Sequence, residues 1–254
     1  MPTDGVPGHD VTRVRAENPG PFTLDGTNSW VLGRDPAWVV DPGPALPDHL
    51  DAIAREAASR GGLAGIALTH DHADHAEGLG GLLERTGAVP VAAARGARDV
   101  VLADGEAFGP LRALATPGHA PDHLTFVAGP VAFTGDAVLG VGSVFIAPDP
   151  GAMAGYLQGL DRLRALELDV LCPGHGPVVC DPHAKLDEYV AHRLDRERRL
   201  LAALAAGVRD EHALLDTVWD DAPAALRPAA AVTLRAHLDK LREEDRLPPE
   251  VSSG

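Results

Sequence analysis

The stretch LTHDHADHAEG, residues 68–78, places His70, His72, Asp74 and His75 within six positions, directly after the apolar run GIAL at 65–68. On an extended strand His70, His72 and Asp74 would face one side and His75 the other, and on a helix His70 and His72 would diverge. The spacing therefore suits a tight turn, in which the first two rings serve one point and Asp74 with His75 turns to a second. A helix expected to begin near Ala76 would aim its positive N-terminal dipole at the same place. A solvated polar loop would also account for these residue types, so the rest of the chain has to decide.

Metal-capable side chains recur where other short apolar runs end. AWVVD (37–41) delivers Asp41, LRALATPGH (111–119) delivers His119, VAFTGD (131–136) delivers Asp136, and DVLCPGH (169–175) delivers His175. Strand ends along one sheet edge form a common rim, where loops carry chemistry and the sheet holds them still. Without Asp41 the set comprises His70, His72, Asp74, His75, His119, Asp136 and His175, more ligands than one tetrahedral zinc can use. Imidazole and carboxylate without thiolate suit zinc, iron or manganese. Two ions roughly 3.5–4 Å apart can share a carboxylate and bring the pKa of a bound water towards about 7. The expected cofactor is a pair of Zn(2+) ions, with Fe or Mn as alternatives. His49, His183, His192, His212 and His237 lie mostly in helical stretches among charged residues and read as surface or helix-face histidines.

With 254 residues, 45% of them hydrophobic, the chain can bury one large core and carry a small appendage. No run has the roughly 18 apolar residues of a membrane helix, and the start MPTDGVPGHDVTR lacks a secretory pattern, so a cytoplasmic location is expected. Cys172 and Cys180 are too few for a disulfide framework. The net charge of −15 argues against a polyanionic partner, above all duplex DNA, because phosphate recognition relies on Lys and Arg.

Periodicity predicts an α/β arrangement over the first two-thirds. Strands are expected at 29–33, 37–41, 65–69, 89–93, 111–117, 123–129, 131–136 and 169–174, and helices at 47–60, 76–87 and 154–166. From about Pro182 strands disappear, and three helices over 183–207, 211–221 and 227–247 suggest a small winged-helix-like module. Two units follow, 1–181 and 182–254, with frayed ends at 1–12 and 248–254.

The pieces VVDPG, THDHADH, TPGHAPDH, FTGD and PGHG, in this order between about Asp41 and Gly176, resemble the metallo-β-lactamase superfamily. That resemblance implies an αββα sandwich with two metals at one edge. Carried over position by position, it implies that His70, His72 and His119 hold the first ion. Asp74, His75 and His175 would hold the second, Asp136 would bridge, and Asp41 would orient a ligand histidine. Zinc β-lactamases of the best-known class have cysteine where Asp136 stands, and flavodiiron proteins have glutamate where His72 stands; both departures disfavour those activities. There is no basic C-terminal signature such as glyoxalase II uses for glutathione. The segments NPGPFTLDGTNSWVLG, GDAVLGVGSVFIAPD and CPGHGPVV extend the likeness to the β-lactamase-like protein 2 group over nearly the whole chain. That group includes a single-strand-specific endoribonuclease, and related fungal enzymes are acyl-carrier-protein thioesterases.

The expected function is a dinuclear-zinc hydrolase of a small acyl substrate, a thioester, ester or lactone, with Asp74 or a metal-bound water managing the proton and Asp41 supporting the site. The alternative is cleavage of single-stranded RNA, and a third reading is a non-enzymatic nucleic-acid-binding regulator. Asn28, His123 and Ser143 are candidates for substrate contact. Along HRLDRERRL, His192, Arg196 and Arg199 would share one helix face, the best place for an anion or RNA, although Asp195 and Glu197 interrupt it.

Overall fold

Side chains alternate across each short strand, and that alternation sets the layers. The computed structural model describes residues 3–96 and 98–247. A first sheet runs in chain order through β1 (Thr3–Gly5), β2 (Val11–Arg15), β3 (Asn28–Leu32), β4 (Ala37–Val40), β5 (Leu63–Ala67), β6 (Val91–Ala93) and β7 (Val100–Val101). It is antiparallel up to β4 and parallel from there. A second sheet holds β8 (Ala107–Phe108), β9 (Leu111–Ala115), β10 (Leu124–Ala128), β11 (Val131–Gly135) and β12 (Val170–Pro173), with only β11 and β12 parallel.

In β3, Trp30 and Leu32 enter the space between the sheets, where they join Val40, Phe126, Phe133 and Cys172. Val31 points the other way, with Val39 and Ile66, against Leu50, Ile53 and Leu82. Those three come from α1 (Pro47–Ser59) and α3 (Leu79–Thr86), which flank the single turn α2 (Ala73–Ala76). Helix α1 starts because Pro47 presets the first turn and Asp48 meets the helix dipole. Its Leu50, Ile53 and Ala57 then recur on the sheet-facing stripe. On the far side, Leu114, Val127 and Leu171 pack against Met153, Tyr156 and Leu160 of α4 (Ala152–Arg164) and Leu186 and Tyr189 of α5 (Pro182–Ala205). The layers are helix, sheet, sheet, helix.

Helix α5 is capped by Asp181, whose carboxylate accepts the Ala184 N–H, and it serves two packing units. Its first half lies in the layer just described. Its second half, through Leu200, Ala203 and Leu204, packs with Leu214 of α6 (Glu211–Val218) and Leu234 and Leu238 of α7 (Arg227–Glu243). Among the described residues no strand follows Pro173, and no helix is long and apolar enough to cross a membrane.

The start of the chain differs from expectation. Residues 3–12 are not frayed: β1 pairs with β2, and Val6 and Val11 are buried between the sheets. Helical structure after the histidine-rich turn begins at Ala73 rather than near Ala76, and breaks before α3. Residues 248–254 lie outside the described residues.

Candidate metal centre

The parallel pairs β4/β5 and β11/β12 end on the same edge, and β9, one strand away from β11, runs in the same direction. Their continuations bring distant residues to one point. His72 Nδ1 lies 3.0 Å from both His70 Nε2 and His119 Nε2. Beside this trio, His175 Nε2 is 3.2 Å from Asp74 Oδ2 and 3.3 Å from His75 Nε2. Asp136 stands between them, with Oδ2 3.5 Å from His119 Nε2 and Oδ1 3.4 Å from His175 Nε2 and 3.5 Å from His75 Nε2.

Four of the five rings turn the same nitrogen inward because the other is held from behind. His75 Nδ1–H donates to Asp41 Oδ2 at 2.9 Å, His119 Nδ1–H to the Phe145 carbonyl at 3.3 Å, and His175 Nδ1–H to the Gly26 carbonyl at 3.4 Å. His70 Nδ1 meets the Thr69 hydroxyl at 3.0 Å, and that hydroxyl donates to Asp41 Oδ2 at 2.7 Å. Such outer contacts fix tautomer and ring direction at metal sites. Only glycine fits at 174, since a Cβ there would stand 2.6 Å from Asp136 Oδ1 and 2.7 Å from His75 Cε1.

Burial presses His70 well below the ordinary imidazole range and His119 down to about 4, which leaves both rings neutral. Burial lowers His75 and His175 too, but carboxylates outweigh it there. Asp136 and Asp41 hold His75 well above its usual value, and Asp136 with Asp74 lifts His175 to about 9. Burial would raise Asp136, yet His175 and His75 hold it well below the carboxylate range.

These residues fit metal ions. Asp136 Oδ1 is buried without a hydrogen-bond partner, a costly state for a carboxylate oxygen that a cation would relieve. A tetrahedral ion with nitrogen ligands at about 2.0–2.1 Å sets neighbouring ligand atoms roughly 3.3 Å apart. The observed spacings bracket that value. His70, His72 and His119 form one group able to hold an ion, Asp74, His75 and His175 another, and His70, His75 and Asp136 overlap both.

The Metallo-beta-lactamase superfamily model matches residues 22–100 and 96–175, and the Beta-lactamase associated winged helix domain model matches residues 212–248. The chain belongs to the metallo-beta-lactamase superfamily. The Beta-lactamase-like protein 2 homolog of Caenorhabditis elegans is 31% identical, across 91% of this chain and 83% of that protein. The Atrochrysone carboxyl ACP thioesterase of Aspergillus chevalieri is 37% identical, across 76% of this chain and 65% of its own length. A solved metallo-beta-lactamase family protein from Thermus thermophilus superposes with a TM-score of 0.75 at 26% identity, covering 93% of this chain and 94% of that one.

In this superfamily hydrolase, a cavity of about 480 Å³ opens on His119 and Asp136. Phe22, Leu24, Leu139, Val141 and Phe145 wall one side, and Trp219, Leu226, Ala229 and Ala230 of the C-terminal segment wall the other. Phe145 packs edge-on to the His119 ring at 4.6 Å, and Phe22 reaches Phe145 at 6.2 Å. Sequence reasoning named none of these wall residues. A local signal in the sequence is the apolar Phe22 and Val141 set among Gly and Pro, in PGPF and GVG, and both side chains stay largely exposed in the fold.

The expected substrate contacts separate. Ser143 lines the cavity. Asn28 does not face it: the side chain is fully buried and donates to the Pro173 and Gly176 carbonyls, so it holds the loop that carries His175. His123 is also buried, between the Thr116 hydroxyl at 2.9 Å and the Asp136 backbone N–H at 3.0 Å, and it positions Asp136 from behind. Burial pushes its pKa down to about 3, so the ring is the neutral acceptor that this N–H needs.

The expected anion face on α5 is occupied from within. Arg196 pairs with Asp221 at 2.8 Å, Arg199 with Asp220 at 2.6 Å and Arg198 with Asp195. Nor are His49 and His237 surface residues, since both are fully buried.

Proposed function

We propose that this chain is a dinuclear metal hydrolase of acyl thioesters, esters or lactones, with zinc as the resident pair of ions and iron or manganese as competent substitutes. The observation that carries this reading is the cavity that ends on His119 and Asp136. Its walls are mostly aliphatic and aromatic, which suits an acyl chain and not a polyphosphate. The thioesterase name of the Aspergillus relative supports the same substrate class.

When bound, two divalent cations supply Lewis acidity that polarises the scissile carbonyl and makes water nucleophilic near neutral pH. The chain's own residues hold and orient. The first trio is His70, His72 and His119, the second Asp74, His75 and His175, and Asp136 spans both. Asp41 fixes His75 from behind, and half-buried Asp74 receives the proton that water gives up. Water oxygen adds to the carbonyl carbon, the C–S or C–O bond breaks, and a carboxylic acid leaves with a thiol or alcohol.

Zinc-loaded protein, assayed against acyl thioesters, lactones and labelled single-stranded RNA at low and moderate salt, tests this. Metal-dependent cleavage of a thioester or lactone with inert RNA is expected, and Asp136→Ala should lower it by about a hundredfold or more. RNA cleavage abolished by the same substitution, and weakened by salt, would overturn the acyl assignment.

A further inference from the structure

One charged side chain on the cavity wall has no counter-charge. Glu188 faces Lys185 at 3.0 Å, and Asp221 faces Arg196 at 2.8 Å. His192 accepts from Arg196 Nε at 3.3 Å, and Asp136 belongs to the candidate metal ligands. Arg193, on α5 between these groups, also lines the cavity, is only 2% exposed, and pairs with no Asp or Glu among the described residues. Its Nη2 donates to the Val144 carbonyl, and the guanidinium carbon lies 5.3 Å from the centre of the Tyr156 ring. The Nε–H has no hydrogen-bond partner among the described residues. A guanidinium out of water incurs a large desolvation cost, which one carbonyl and one aromatic face offset only in part. Among the described residues no carboxylate accounts for a cation there.

We propose that Arg193 receives an anionic oxygen of the ligand that fills this cavity, a carboxylate on the acyl group or a phosphate on its carrier. This rests on the acyl-hydrolase reading above. The backbone sets the relation to the chemistry: the Val144 carbonyl takes Arg193, and the next carbonyl, of Phe145, takes the Nδ1–H of His119. The cation, carried by α5, is therefore held by the same loop that holds His119 of the candidate metal site. A ligand whose carbonyl reaches His119 and Asp136 can present an anion to Arg193 while its carbon chain lies on the apolar wall. A planar fork of N–H donors suits both carboxylate and phosphate.

The test uses matched substrates with wild type, Arg193→Met and Arg193→Lys. Glutaryl and pentanoyl thioesters of N-acetylcysteamine differ by a terminal carboxylate in place of a methyl group; pentanoyl thioesters of 4′-phosphopantetheine and of pantetheine differ by one carrier phosphate. Any disturbance of the Val144 loop lowers both members of a pair alike, so the ratio of kcat/KM values isolates the charge. Wild type should prefer the anionic member of one pair, and Arg193→Met should cut that preference by about ten- to hundredfold, with Arg193→Lys keeping part of it. Loss in the glutaryl pair assigns the anion to the acyl group, and loss in the phosphopantetheine pair assigns it to the carrier. Ratios unchanged by Arg193→Met overturn the proposal. If wild type cleaves no thioester, ester or lactone, the acyl reading fails; wherever no thioester is turned over, metal-free protein decides Arg193 separately by calorimetry with glutarate and inorganic phosphate. Binding at least about tenfold weaker in a folded Arg193→Met variant, verified by its melting temperature, would sustain an anion site. Equal binding, or none to either protein, would end it.

Discussion

Asp41 concentrates the second layer of the candidate metal centre in one carboxylate. It follows β4 with φ of 54°, a left-handed backbone that Asp and Asn tolerate better than most residues. From there Oδ1 accepts the Thr69 N–H at 2.7 Å, while Oδ2 accepts the Thr69 hydroxyl at 2.7 Å and His75 Nδ1–H at 2.9 Å. One side chain thus orients His75 directly and His70 through Thr69. Asp41→Asn keeps the shape and the backbone preference but turns an NH2 towards one of these donors. Metal affinity should fall by about ten- to hundredfold with little change in melting temperature, as read by competition with a chromophoric chelator. Unaltered affinity would mean that packing alone directs the two rings.

At the scale of elements, the C-terminal helices reach His119 through the loop Leu139–Ala147. The Leu139 N–H donates to the Tyr189 hydroxyl at 2.9 Å, the Ile146 N–H to Thr233 Oγ1 of α7 at 3.1 Å, and the Ala147 N–H to the Gly118 carbonyl at 2.9 Å. Phe145, at the loop's centre, offers its carbonyl to His119. Thr233→Val would keep the volume and strand the Ile146 N–H, at a cost of about 1–3 kcal/mol in urea unfolding, and Thr233→Ser should retain most of the stability. A neutral Thr233→Val would show that the loop holds itself. This contact also marks where sequence reading ends. Strand ends at Asp41, His119, Asp136 and His175 were legible because each apolar run stops at a metal-capable side chain, and such runs report burial locally. The β1–β2 hairpin was not, because Thr3–Gly5 is wholly exposed and carries no apolar alternation. Two-residue strands such as β7 are too short for a period to register. Asn28 was a candidate for substrate contact, and the carbonyls its side chain meets lie 145 and 148 residues away. The cavity wall from α7 depends on how helices dock, and helical periodicity records only that a face is apolar.

Across the whole molecule, acid tolerance is set by buried neutral histidines as well as by carboxylates. His49 on α1, which meets the Ser29 hydroxyl at 2.9 Å, is pushed down to about 4, chiefly by burial. His237 on α7 is pushed down to about 3, first by burial and then by Arg193 and Lys240, and neither ring nitrogen has a partner. Both folded-state values lie below the value near 6.5 of an unfolded histidine, so in the window beneath 6.5 the unfolded chain binds more protons. Their contribution to stability is therefore complete above about pH 6.5 and is lost as pH falls towards 4 for His49 and towards 3 for His237. Each proton taken up on unfolding steepens the decline by about 1.4 kcal/mol per pH unit. Urea midpoints of the metal-free protein should drop between pH 6.5 and 5, and should also decline above pH 7, where His175, raised to about 9, and His75, held well above its usual value, lose the protons that their carboxylates favour. In His237→Phe, an apolar ring of similar size beside Trp219 removes one such proton, so the same drop should be shallower while the midpoint at pH 7.5 is kept. Parallel curves for the two proteins would mean that His237 takes up no proton on unfolding in this window, and would leave the acid loss to the other buried histidines and the carboxylates.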